Sequence, residues 1–170
     1  EDKALVFRTR NPDKYAIIPK HKVLEQTSGG SKIAVYWGLD EVRVLRNLGV
    51  KNAPSPIIRK YNWPGRYKPM RHQVDTASFL TIHKRGFCFN DPGTGKTLAA
   101  LWAADYLMSR GFVRRVLILC PLSIMQSAWL NDLNNSIVHR SAVVAHHAKA
   151  SRRIEMIQSD YEFVICNYDG

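Results

Sequence analysis

Apolar and polar positions alternate along this chain in two different styles. Over the first 60 or so residues, Ala4-Leu5-Val6-Phe7, Tyr15-Ala16-Ile17-Ile18 and Lys32-Ile33-Ala34-Val35-Tyr36-Trp37 read as short extended runs. Asn11-Pro12-Asp13 and Ser28-Gly29-Gly30-Ser31 lie between them and carry turn chemistry. Val42, Leu45 and Leu48 then recur three apart before Gly49, which predicts a short helix from Asp40 through Leu48. These pieces predict a small strand-rich α+β appendage over residues 1–62. Ala53-Pro54-Ser55-Pro56 and Trp63-Pro64-Gly65 punctuate a connection that need not be flexible.

From Lys68 onward, over a domain expected at 63–170, the pattern alternates helix and strand. Met70, Val74, Ala77 and Leu80 fall on one helical face. Gly86 to Phe89 reads as a short buried strand, and Leu98 to Met108 as a nearly all-apolar helix closed by Ser109-Arg110-Gly111. Val116 to Cys120 predicts another strand, and Ile124, Ala128 and Leu133 stripe the helix after it. Further strands are expected at Ala142 to Ala145 and Phe163 to Cys166, around a helix over roughly Lys149 to Ser159. Strands alternating with helices imply the α/β class, a parallel sheet with helices on both faces.

Charge narrows the partners. The formal net charge is +11, spread along the chain: residues 1–65 hold 12 Lys/Arg against 6 Asp/Glu, residues 66–170 hold 13 against 8. A basic surface attracts phosphate polyanions, so nucleic acid is the expected partner; a merely soluble basic protein or one meeting an acidic partner is the alternative. No apolar run approaches the about 18 residues of a membrane span, and Glu1-Asp2-Lys3 does not open a secretory signal, so an intracellular location is expected. Cys88, Cys120 and Cys166 sit in apolar runs without a CxxC pair and read as reduced core residues.

The strongest chemistry lies at Asn90-Asp91-Pro92-Gly93-Thr94-Gly95-Lys96-Thr97. Glycines let successive backbone N–H groups converge on phosphates, and the helix that follows aims its positive end at the same place. Gly93 and Gly95 supply that freedom, Lys96 can reach the β- and γ-phosphates, and the Thr97 hydroxyl can ligate Mg²⁺. Asp91, Pro92, Thr94 and Leu98 complete the candidate ATP-binding stretch. Asn90 stands where the strict pattern wants Gly or Ala. His146-His147, with no carboxylate or Cys nearby, reads as surface rather than a metal site. Arg114-Arg115 and Arg152-Arg153 read as solvated faces, and Tyr36, Trp37 and Trp63 as the small core of the appendage.

Four segments in order resemble the first motor lobe of superfamily-two helicases, in particular the Swi/Snf-type ATPases. They are Lys68-Pro69-Met70-Arg71-His72-Gln73, the phosphate loop, Val116 to Ser123 with Trp129 beyond it, and Phe163 to Tyr168. The resemblance covers roughly residues 66–170; appendages like residues 1–62 precede some phage and bacterial translocases. It implies a RecA-like fold, ATP with Mg²⁺ as cofactors, and ATP-driven helicase or translocase activity. Gln73 would then read the adenine edge, with Arg71 beside it, because an amide offers both a donor and an acceptor. Pro121, Leu122 and Ser123 would touch the nucleic-acid backbone, as would Asn167 and Tyr168.

The acidic Asp-Glu motif of that superfamily does not follow the phosphate loop, and Asp160, Glu162 and Asp169 do not replace it. Phosphoryl transfer depends on charges placed around the γ-phosphate. The chain alone is therefore expected to bind nucleotide without useful turnover, as part of a longer protein. Two other readings stand beside this one: another phosphate-loop protein such as a kinase, or a non-enzymatic nucleic-acid-binding module.

Overall fold

The computed structural model describes residues 4–168, so Glu1-Asp2-Lys3 and Asp169 lie outside the described residues. The chain divides into two compact units, Glu1–Tyr61 with Ser78–Gly86, and Asn62–Ala77 with Phe87–Gly170.

The first unit is built on an antiparallel sheet in the order β1 (Ala4–Thr9), β3 (Gly30–Tyr36), β2 (His21–Thr27). The central strand β3 alternates as expected, with Ser31, Ile33 and Val35 buried. Val42 and Leu45 of helix α1 (Leu39–Asn47) join Tyr15, Ile18, Ile33, Val35 and Trp37 in one core. Helix α2 (Ile57–Lys60) follows Pro56 and buries Ile57. The expected strand at Tyr15 to Ile18 is instead the end of a 3₁₀ turn, Asp13–Tyr15, with Tyr15 and Ile18 buried and Ile17 outside. The second edge strand lies at His21–Thr27, joined to β3 by the Ser28-Gly29 hairpin turn. That strand is almost wholly exposed and polar, so no apolar alternation marks it in the sequence.

The second unit carries a parallel sheet in the order β4 (Val116–Cys120), β6 (Phe163–Asn167), β5 (Ala142–Val144). The central strand β6 is buried on both faces. Val164 and Cys166 pack with Val143 and with Met156 of helix α6 (Ala150–Gln158). Phe163 and Ile165 face the other way, and a π-helical segment, Met125–Leu130, packs on β5 and β6. A parallel sheet flanked by helices, as the alternating pattern predicts, is therefore present. The π turn continues into α5 (Asn131–Ser136) and shifts the helical phase. In consequence Leu133 is buried as predicted, but Ile124 is exposed and Ala128 half-buried, and Met125, Ser136 and Ile137 are buried beside Leu133 instead.

Two expectations around the phosphate loop are overturned. Gly86 to Phe89 forms no strand: Phe87 is 81% and Phe89 88% exposed, their rings stacked 5.6 Å apart. A strand is made by its neighbour's hydrogen bonds, and among the described residues none is paired with this segment. For helix α3 (Arg71–Ile82) what is overturned is a purely apolar buried face: Ala77 is buried and Val74 and Leu80 are half-buried as predicted, but polar residues share that burial. Met70, just before it, is exposed, whereas Gln73, Thr76, Ala77, Ser78 and Thr81 are buried.

Trp63 belongs with the second unit, not with the appendage core. It meets Trp102 edge-on at 5.6 Å, and the indole of Trp102 donates to the Pro64 carbonyl at 3.0 Å. Trp102 is fully buried on helix α4 (Lys96–Ser109), as are Ala99 and Leu101, so the nearly all-apolar reading of this helix corresponds to burial around it. Gly65 lies against Ser136, where a side chain would collide with backbone, so the Trp-Pro-Gly connection is fastened to the end of α5. All three cysteines are free; Cys120 and Cys166 are buried, and burial pushes both thiols up.

One charged network braces the second unit. Asp105, buried on α4, accepts from Arg140 Nε at 2.6 Å and lies 2.9 Å from His139 Nε2. Arg140 also reaches Glu162 at 2.6 Å, and Glu162 accepts from the Ser141 amide at 2.9 Å. The entries to β5 and β6 are thereby tied to α4. Burial alone would raise the Glu162 carboxyl, but the Ser141 amide and the Arg140 guanidinium outweigh it and hold it below the usual 4.5. Such a group stabilises fully above its unfolded value, and the contribution disappears as pH falls through the folded value. Arg140→Ala should cost about 1.5–3 kcal/mol in denaturant unfolding at pH 7, because it removes a charge-assisted hydrogen bond from buried Asp105. In Glu162→Gln, the loss of stability between pH 5 and pH 3 should be shallower than in the parent chain; equal slopes would remove Glu162 from this role.

Candidate nucleotide site

The phosphate loop ends where α4 begins, at Lys96. Gly95 is the N-cap in a left-handed conformation, φ 71° and ψ 35°, and Gly93 has φ 78°. At Gly95 a second constraint applies: an added Cβ would lie 2.1 Å from Gln73 Nε2. Only glycine lets the loop come this close to α3.

The loop's carbonyls are turned toward protein donors. Lys96 Nζ donates to the carbonyls of Asn90 at 2.7 Å and Asp91 at 2.8 Å. The Thr94 hydroxyl donates to Asp91 O at 2.8 Å. His72 Nε2 lies 3.0 Å from Thr94 O. Gln73 Nε2 donates to Gly95 O at 3.5 Å, and the Ala99 amide donates to the same carbonyl at 3.2 Å. An anion is repelled by carbonyl oxygens and attracted by amide N–H groups, so this orientation is what a phosphate cradle needs. An ammonium has three donors, and two carbonyls take two of them.

The buried polar face of α3 is thereby explained. Gln73 is only 6% exposed; its Oε1 accepts from the Met70 amide at 2.9 Å while its Nε2 points at the loop. Thr76 donates to His72 O at 2.8 Å and accepts from Asn90 Nδ2 at 2.8 Å. Asn90, which departs from the strict motif, therefore pins the start of the loop. His72 and Thr76 were not among the predicted site residues. Their signal was present as a polar stripe at i, i+1 and i+4 of α3, but a periodic reading that counts only apolar residues passes over it. Arg71 is exposed at the first turn, and Thr97 and Leu98 occupy the first turn of α4, half-buried.

A second group of predicted residues meets at the carboxyl end of the parallel sheet. Leu119 pairs with Cys166 and Cys120 with Asn167, so Pro121 and Tyr168 leave adjacent strands side by side. Pro121 opens a 3₁₀ turn, Leu122–Ile124, in which Leu122 and Ser123 are exposed, and Tyr168 is exposed too. Ligands of open parallel sheets bind at such carboxyl ends. In each of the remaining basic and His pairs at least one side chain has a protein partner. Arg115 donates to the carbonyls of Ile157 and Tyr161, Arg153 to that of His147, and His147 Nδ1 accepts from the Lys149 amide at 3.0 Å. Among the described residues no His, Cys, Asp and Glu group could hold a metal ion, and no helix is long and apolar enough to cross a membrane.

No curated protein matches the chain significantly. Among solved structures, the Sulfolobus solfataricus SWI2/SNF2 ATPase core in complex with dsDNA is similar with a TM-score of 0.54 and 22% identity, over 63% of this chain and 23% of that one. The Sulfolobus solfataricus SWI2/SNF2 ATPase core domain gives a TM-score of 0.52 and 22% identity, over 67% and 23%. At that identity the likeness establishes the fold, and the chain spans about a quarter of the length of these structures. The family profile described as the SNF2-related domain matches residues 19–170. That match begins well upstream of Lys68, where the motif resemblance starts, and takes in β2, β3 and α1. With this match over most of its length, the chain belongs to the SNF2-related domain family.

Proposed function

We propose that the chain forms the nucleotide-binding front of a nucleic-acid-dependent ATPase, a helicase or translocase working inside the cell on DNA. The observation that carries this reading is the phosphate loop itself. Its carbonyls are held by α3, Lys96 and its own hydroxyl, and it opens onto the N-terminus of a 14-residue helix. Membership of the SNF2-related domain family supports ATP as the nucleotide, and the relative bound to dsDNA supports DNA as the track.

In this reading Lys96 keeps its two carbonyl partners and turns its third ammonium N–H toward the β- and γ-phosphate oxygens. A charge-assisted bond of that kind favours triphosphate over a neutral ligand. The first turn of α4 adds its positive end. Asp91, Pro92, Gly93, Thr94 and Gly95 wrap the phosphates, with Leu98 behind them. Thr97 would hold Mg²⁺ through its hydroxyl, and the ion when bound neutralises phosphate charge. Gln73 retains one amide N–H and acceptor capacity beyond its bonds to Met70 and Gly95, which suits an adenine edge; Arg71 supplies charge beside it. Pro121, Leu122, Ser123, Asn167 and Tyr168 line the place where nucleic acid would cross the sheet. The complete catalytic set of carboxylate and arginine finger would come from elsewhere in the same polypeptide.

Calorimetric titration of this chain with Mg-ATP tests the reading. Lys96→Ala should weaken binding by about 1.5–3 kcal/mol, on the order of ten- to a hundred-fold, with DNA affinity retained. Equal loss of both would point to damaged folding, and a phosphorylated small molecule made by the chain would replace the motor reading with a kinase. Gln73→Ala separates two roles: an adenine reader loses its preference for ATP over GTP, whereas a mere brace for Gly95 loses affinity for both alike. DNA binding should also weaken steeply as salt rises from 50 to 200 mM; a flat response would exclude backbone phosphate as the ligand.

A further inference from the structure

The charge that looks evenly spread along the sequence is unevenly spread over the fold. The first unit, residues 1–61 with 78–86, holds fourteen Lys/Arg against six Asp/Glu, and the second holds eleven against eight. Lys84 and Arg85 belong to the first unit, and there they meet α1. Arg43, Arg46, Asn47, Ile82, His83, Lys84 and Arg85 line one open groove of about 410 Å³, which lies wholly within that unit.

Four cations and no carboxylate line this groove. Asp40 stands 3.8 Å from Arg43, but its side chain is 72% exposed and it is not a lining residue. The groove is also braced. Arg43 donates to the carbonyls of Thr81 at 2.9 Å and Ile82 at 3.3 Å, and Arg46 donates to the Lys51 carbonyl. Thr81 is itself buried and bonded to Ser55 at 2.8 Å. The two Arg43 bonds engage the last carbonyls of α3, whose partial negative charge would otherwise oppose an anion. Lys84 and Arg85 remain at the exposed rim.

We propose that this groove is a contact site for the phosphodiester backbone of nucleic acid, separate from the parallel-sheet surface. The proposal rests on the nucleic-acid-dependent function above and adds a second point of hold. A chain of phosphates fits the groove better than an acidic protein does, because stable protein interfaces centre on buried apolar or aromatic anchors and Ile82 is the sole apolar lining residue. Its openness along α1 suits a polymer rather than one enclosed ion. Backbone contacts of this sort position the duplex without reading its sequence.

The test is fluorescence anisotropy of the chain with a labelled DNA duplex across 50–200 mM salt. Lys84→Ala with Arg85→Ala should weaken binding on the order of ten-fold at low salt and flatten the log–log salt slope by about 1.8, two phosphate contacts' worth. Lys149→Ala with Arg152→Ala, equal in charge lost and placed at the N-cap and first turn of α6, should leave the slope nearly as it was. Lys84→Glu should lose more than Lys84→Ala, with Mg-ATP affinity and melting temperature unchanged in both. Equal losses in the two double variants, or none in the groove pair, would overturn the groove while leaving the proposed function standing. Loss of a poly-glutamate ligand but not of DNA would overturn it in favour of an acidic protein. A parent chain that binds no DNA at 50 mM salt would overturn both.

Discussion

The candidate nucleotide site depends on where the carbonyl oxygens of one loop point. A stretch of backbone can cradle an anion only if its acceptors are occupied elsewhere, since a carbonyl and a phosphate repel. Here the Asn90, Asp91, Thr94 and Gly95 carbonyls are taken by Lys96, Thr94, His72, Gln73 and the Ala99 amide. Two of these donors, His72 and Gln73, come from α3, and that helix buries amide and hydroxyl groups where an ordinary amphipathic helix would bury leucines. Buried polar groups are tolerable only when bonded, and no buried side-chain nitrogen or oxygen among the described residues lacks a partner.

Rigidity behind the site comes from a different source. α4 is apolar around most of its girth, so its position is set by packing, with Trp102 fixed further by the Pro64 carbonyl. Asp105 is the exception on that helix, and through Arg140 it carries the helix's position to Glu162 at the start of β6. The parallel register of β4 and β6 then brings Pro121 and Tyr168 together at the carboxyl end. Each of these links is short and directional, which is how a loop and a sheet edge are held in place with few residues.

Electrostatics adds what packing cannot. A basic excess concentrated in one unit makes a directed field, and a groove without carboxylates focuses it. The same number of charges, evenly mixed with acids, would give solubility and little else.

The sequence by itself determined the glycine loop before α4, the apolar helix after it, the parallel strands β4, β5 and β6, and the α/β class, because each rests on local pattern. A glycine at a left-handed cap, an all-round apolar helix and a fully buried strand leave marks in consecutive residues. It also carried the family resemblance through four motifs in order. Tertiary structure alone decided the rest. β2 was invisible because an edge strand with both faces wet needs no apolar alternation. Phe87 and Phe89 looked like strand residues, but a strand exists only where a neighbour supplies hydrogen bonds, and residue type cannot report that neighbour. The polar face of α3, the role of Asn90 and the gathering of Arg43, Arg46, Lys84 and Arg85 all depend on partners distant along the chain, and no local pattern records which distant groups will meet.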